Sequence, residues 1–224
     1  MRVEVFSDVV CPWCAIGKRR FELALADFGH AAEVEVTWRS FELDPSAPRI
    51  SGGDSAARLA SKYGITRTQA LHAYERLTAT AAEVGLEFRL DKAQYGNTFD
   101  AHRLLHLAGE HGLQGALKER FLIAYFTEGE AIGDAETLIR LASDVGLDAR
   151  TAAEVLAGDR YSDDVRRDER DATELGVTGV PFFVIAGRFA IPGAQDPETI
   201  LRVLNRAWDV ELDRTTAVRA ESER

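Results

Sequence analysis

The chain has 224 residues, 46% of them hydrophobic and 29% charged, with a formal net charge of −10. That is the make-up of one globular domain, or of one domain carrying an insertion. No apolar run approaches the roughly 20 residues of a membrane span, and the acidic balance disfavours nucleic acid, whose phosphates need a concentrated basic surface.

Met1-Arg2-Val3-Glu4-Val5 runs straight into a first strand, expected over residues 3–6, with no apolar leader region. The expected compartment is therefore the cytoplasm, where thiols stay reduced. Ser7-Asp8-Val9-Val10 turns the strand into Cys11-Pro12-Trp13-Cys14, which holds both cysteines of the chain. Pro12 suits the first position of a helix, where its missing N–H costs nothing. That helix is expected over residues 15–28, with Ile16, Phe21, Leu23, Leu25 and Phe28 towards a core and Gly29 as the stop. The basic run Lys18-Arg19-Arg20 reads as a solvated helix face beside the thiols. Residues 33–38 alternate with period two and form a second strand, so the chain opens as βαβ with a right-handed parallel crossover.

Residues 46–53 are rich in Ser, Pro and Gly and read as a loop. The pattern then becomes helical. Helices are expected over 54–63, over 66–84 with Thr66 as N-cap, from an Asn97 cap through Leu104, Leu105 and Leu107, and over 114–127, 134–145, 149–157 and 161–175. Residues 86–90 read as a short extended piece. Period two returns at 180–185, and a turn at Ala186-Gly187 leads into 188–191, a hairpin. Asp196 and Pro197 open a last helix to about residue 208. The polar tail beyond it is expected to fray.

A C-x-x-C pair between a strand and a helix is a redox pattern. The helix start favours an anionic sulfur at Cys11, and Cys14 lies one turn on, placed to resolve a mixed disulfide. Three other readings of the pair stay open on the residues alone: a structural disulfide, two unconnected buried thiols, and half of a zinc site completed by His102-x-x-x-His106. His106 and His111 otherwise read as surface residues. In Thr178-Gly179-Val180-Pro181-Phe182, a proline at the start of a buried strand removes a ladder donor, which a cis Val180–Pro181 bond in a turn would explain.

Taken together, the βαβ start with Cys11-Pro12-Trp13-Cys14 and the ββα end with Gly179-Val180-Pro181 resemble the two halves of a thioredoxin fold. The long helical insertion resembles the DsbA family. Several stretches resemble its FrnE-like branch, which is similar to 2-hydroxychromene-2-carboxylate isomerases and kappa-class glutathione transferases. They are Ser7-Asp8-Val9-Val10-Cys11-Pro12-Trp13-Cys14-Ala15-Ile16-Gly17, Trp38-Arg39-Ser40-Phe41-Glu42-Leu43, Asn97-Thr98-Phe99-Asp100-Ala101-His102-Arg103-Leu104, Ala124-Tyr125-Phe126, Gly176-Val177-Thr178-Gly179-Val180-Pro181-Phe182-Phe183-Val184 and Gly193-Ala194-Gln195.

The resemblance implies an α/β thioredoxin fold whose halves are residues 1–48 and 171–210, an all-helical insertion at 49–170 and a polar tail at 211–224. It implies a cytoplasmic thiol–disulfide oxidoreductase, acting as oxidase, reductase or isomerase, with Cys11 attacking and Cys14 resolving. Pro12, Trp13 and Asp8 would tune the redox poise. Val180, Pro181, Asn97 and His102 would bind substrate. The expected partners are protein or small-molecule disulfides, with glutathione as a further co-substrate, no tightly bound cofactor and no metal, as a monomer or homodimer. The alternative activity is a glutathione-dependent isomerase or transferase acting on a small aromatic compound. Relatives in the isomerase and transferase branches usually carry serine where Cys11 stands, so two cysteines at redox spacing favour dithiol chemistry.

Overall fold

The computed structural model describes residues 1–222, and the side chains of residues 1–212. Its sheet has four strands in the order β2-β1-β3-β4. Arg2–Ser7 (β1) pairs in parallel with Glu35–Ser40 (β2), and antiparallel with Phe182–Ile185 (β3), which pairs antiparallel with Phe189–Pro192 (β4). Val5 thus sits opposite both Trp38 and Phe183. This is the mixed sheet of a thioredoxin-like α/β fold, with β1 delivering the chain directly to Cys11.

One face of the sheet is covered by α1 (Pro12–Ala26) and α9 (Pro197–Ser222). Val3, Val5, Phe183 and Ile185 bury themselves there against Phe21, Phe28, Ile200 and Leu204. The buried positions of α1 are Cys14, Ala15, Ile16, Gly17, Lys18, Phe21 and Ala24, among which Cys14, Gly17, Phe21 and Ala24 repeat at the spacing of a stripe along one helix face. Leu23, expected in that core, lies off the stripe and is 45% exposed. Lys18 is buried and paired with Glu22 and Glu119, Arg19 is paired with the same two carboxylates, and Arg20 reaches Ala194. The basic run is therefore tied into the fold by Glu22, Glu119 and the Ala194 carbonyl and is not a solvated face.

Between β2 and β3 the chain forms the helical insertion: α2 (Ser55–Tyr63), α3 (Arg67–Ala82), α4 (Phe99–Glu110), α5 (Gln114–Ile123), α6 (Ala135–Asp144), α7 (Ala149–Ala157) and α8 (Ser162–Glu174). Asp54, Thr66, Asp134 and Asp148 each cap a helix through a side-chain oxygen. Thr66 and Gln69 form the reciprocal capping box. The insertion core of Leu104, Leu107, Leu117, Phe121, Phe126 and Leu138 is continuous with Val9, Ala15 and Ile16. The start of α1 is thereby gripped by both the sheet core and the insertion core.

Four expectations move. α9 runs to Ser222, well past residue 208, and the last two residues of the expected tail lie outside the described residues. Residues 86–90 form no strand. The helix expected over 114–127 changes to a π turn over Ala124–Glu128, ending at Gly129 in the left-handed region. At α4 the N-cap is Thr98, while Asn97 Oδ1 accepts from the Phe99 N–H at 2.9 Å one residue earlier.

Candidate active site

Cys11 is the N-cap of α1, with an extended backbone and Pro12 as the first helical residue. The Cys14 N–H, in the first turn of the helix, is shared between the Cys11 carbonyl at 3.0 Å and Cys11 Sγ at 3.3 Å. The helix end thus offers this sulfur a hydrogen bond and a dipole suited to negative charge. On the other side, the Cys11 thiol donates to the Val180 carbonyl at 3.5 Å. The Val180–Pro181 bond is cis. Because Pro181 has no N–H, the β3 ladder begins only at Phe182. The two ends of the sequence meet at one sulfur.

Both cysteines are free thiols and buried, while Trp13 between them is 47% exposed. Burial pushes the Cys14 thiol well above its ordinary value. The hydrogen bond and charge of Cys11 push the same way, against the attraction of Lys118. The arrangement separates the roles of the two sulfurs. Cys11 Sγ accepts from the Cys14 N–H at the helix start, and burial holds Cys14 as a protonated thiol.

Behind the pair lies a buried polar cluster. Asp8 is fully buried. One of its carboxylate oxygens sits 3.3 Å from His102 Nε2, and the other accepts from the Leu43 N–H at 2.8 Å. Burial alone would raise this carboxyl. The hydrogen bond and attraction of His102, the Leu43 N–H and Lys118 outweigh it and hold Asp8 below its ordinary value. Lys118 comes from α5, and its buried amine has no hydrogen-bond partner among the described residues. Burial brings its pKa down to about 8, against the opposing pull of Cys14, Asp8 and Cys11.

His102 is 1% exposed and faces Asp8, so it has no surface to offer a substrate directly. Asn97 Nδ2 donates to Glu42 at 3.2 Å. Glu42, two residues past β2, is buried and also accepts from Arg166 at 2.7 Å. His106, expected at the surface, lies 3.2 Å from both Ser40 Oγ and Asp168 Oδ2. The two α4 histidines therefore point to different partners, away from a shared site with the thiols. Among the described residues no group of three or more His, Cys, Asp or Glu side chains could hold a metal ion.

Lys118 and Glu42 were not singled out in the sequence. Lys118 did leave a trace: it falls on the buried stripe Leu117, Lys118, Phe121, Leu122 of α5. A lysine on the apolar face of a helix is a buried charge in need of a reason. Glu42 left none, because its partners come from residues 97 and 166.

Residues 2–205 match the family model described as a DSBA-like thioredoxin domain. The chain is 30% identical over 208 residues to the uncharacterized protein YwbO of Bacillus subtilis (strain 168), covering 92% of this chain and 96% of that one. It is similar to the crystal structure of probable DsbA oxidoreductase SCO1869 from Streptomyces coelicolor, with 45% identity and a TM-score of 0.89 over 93% of this chain and 90% of that chain. It shares its fold with the cytosolic disulfide reductase DsbM from Pseudomonas aeruginosa, solved with GSH. There the identity is 16% and the TM-score 0.62, over 96% of this chain and all of that one.

Proposed function

The chain belongs to the DSBA-like thioredoxin domain family, and from that premise we propose that it is a thiol–disulfide oxidoreductase working through Cys11 and Cys14. The observation that carries the reading is the position of Cys11 Sγ. It lies between the Cys14 N–H and the Val180 carbonyl, at the start of a helix.

In the reductive direction the Cys11 thiolate attacks one sulfur of a substrate disulfide. A mixed disulfide forms, and the other sulfur leaves as a thiolate and takes up a proton. Cys14 then gives up its proton and attacks Cys11 Sγ. The Cys11–Cys14 bond forms, the second substrate sulfur leaves, and two electrons have passed to the substrate. Two thiol equivalents return the enzyme to its starting state, and the reverse sequence oxidises a dithiol. Cys14 needs help in losing its proton because burial holds it as a thiol. Lys118, whose pKa of about 8 leaves part of it neutral near physiological pH, and Asp8 are the groups that answer this need. Glutathione is the thiol we propose for the return step, supported by the DsbM structure with GSH. The same likeness supports the cytoplasm as compartment.

The extended backbone at Val180 would hold the substrate, Trp13 would stand at the mouth, and the insertion at 49–170 would set substrate choice. Asn97 and His102 serve this site by holding Glu42 and Asp8. His102 is buried against Asp8, whereas Asn97 is only partly buried, so the isomerase alternative would have to draw its ligand contact from Asn97. The deciding test is reduction of a small disulfide such as oxidised glutathione. Cys11→Ser should abolish it, and Cys14→Ser should accumulate a mixed disulfide visible by mass spectrometry. An unchanged rate in Cys11→Ser would sink the reading.

A further inference from the structure

We propose that Gly17 is a positioning residue for Cys11. Lacking a side chain, it lets the Pro181 ring and the turn at Ala194 close onto α1, and so sets how near the Val180 carbonyl comes to the sulfur. The proposal rests on the dithiol reading above.

Gly17 lies one turn beyond Cys14, on the buried side of α1. Glycine is a poor helix former, so its place in a helix interior calls for a packing reason. The reason is steric. A Cβ at Gly17 would lie 2.7 Å from Pro181 Cγ, 3.4 Å from Ala194 Cβ and 3.5 Å from Pro181 Cβ. The first distance is below what real Cβ atoms show. Pro181 Cγ belongs to a closed ring and cannot rotate aside as the end of a flexible side chain would. The ring is also buried.

Pro181 and Ala194 form one seam against the helix. The Gly193 N–H donates to the Pro181 carbonyl at 2.8 Å. Arg20, three residues along α1 and on the same side, donates to the Ala194 carbonyl at 2.7 Å. Gly17 admits the seam and Arg20 holds it. Val180 is the residue immediately before Pro181, and its carbonyl is 3.5 Å from Cys11 Sγ. A methyl group at position 17 must push Pro181 away from α1, and Val180 with it. The backbone that would hold an extended disulfide substrate then no longer faces the attacking sulfur. Substrate binding suffers first, so the loss appears in KM before kcat.

The test is a double-mutant cycle on Gly17→Ala and Pro181→Ala, read as KM and kcat with a dye-labelled disulfide peptide. A wild-type protein that forms no mixed disulfide refutes the dithiol reading itself, whatever Gly17 does. Given wild-type turnover, Gly17→Ala should raise KM at least about fivefold with kcat within about twofold. Pro181→Ala removes Cγ and leaves Cβ at an ordinary contact distance, so in that background Gly17→Ala should change KM less than about twofold. A wild-type KM in Gly17→Ala overturns the proposal. So does a loss confined to kcat, or the same loss in both backgrounds. If Gly17→Ala does not fold, Arg20→Met loosens the seam from its other side and must raise KM, and an unchanged KM there also overturns it.

Discussion

The Lys118 amine lies 5.7 Å from the centre of the Trp38 ring and has no hydrogen-bond partner among the described residues. A desolvated ammonium with no acceptor opposes folding. Its pKa of about 8 records that opposition. Retaining such a group suits a site that needs a proton carrier close to a reluctant thiol.

Lys118→Met should therefore stabilise the protein and impair it. The folded pKa of about 8 lies below the ordinary lysine value of 10.5, so between those values the unfolded state holds more protons and wild-type stability rises with pH. The penalty is fully present below pH 8 and amounts to about 3 kcal/mol by the usual conversion. The expected result is a higher thermal midpoint than wild type at pH 7, with the difference closing as pH climbs towards 10. Turnover of a small disulfide should fall about tenfold or more. A wild-type rate at pH 7 would remove Lys118 from the mechanism.

Asp8→Asn should show the opposite pH behaviour. The folded Asp8 pKa is lowered, so its contribution is present above the ordinary aspartate value and is lost as pH falls through the folded value. Thermal melts at pH 7 should show the variant less stable than wild type, because His102, Leu43 and Lys118 lose a charged partner. Below about pH 4 the two curves should converge. Equal stability at pH 7 would mean that the carboxylate charge does not matter there.

Gly133→Ala tests the loop that leads from β2 into the insertion. A Cβ at Gly133 would overlap the Arg49 carbonyl, with the Asn97 carbonyl oxygen 3.4 Å away. The Pro48 carbonyl accepts from the Asn97 N–H at 2.9 Å. Forcing this strap outward should cost about 3 kcal/mol, read as a lower urea midpoint. Gly29→Ala, where a Cβ meets nothing within 4 Å, serves as the control and should unfold as wild type does. Equal midpoints for the two variants would show that the strap yields freely.

Trp13→Ala separates substrate contact from folding. The side chain is 47% exposed, so the thermal midpoint should move by less than about 1 kcal/mol equivalent. Activity on a protein disulfide should fall more than activity on oxidised glutathione, because a protein surface can cover the indole. Equal losses on both substrates would assign Trp13 to the thiol chemistry alone.

The sequence by itself determined the features that depend on neighbours along the chain. Period two marked β2 and β3, the Ala186-Gly187 turn marked β4, and helical period marked the insertion, because alternation, tight turns and the 3.6-residue turn are local geometry. The caps at Asp54, Asp134 and Asp148 are seen in the structure, while Thr66 announced a helix start, since a cap needs only the next two or three residues. Cys11 and Cys14 were legible as a pair for the same reason. The tertiary structure decided what sits around them. Asp8 meets a residue 94 positions away in His102, Cys11 meets one 169 positions away in Val180, and Lys118 becomes a buried charge only because α5 packs against β2, where Trp38 sits. Burial and long-range contact set the ionisation of these groups, and neither is written in any short stretch of chain. The C-x-x-C is a property of the sequence; the difference between its two sulfurs is a property of the fold.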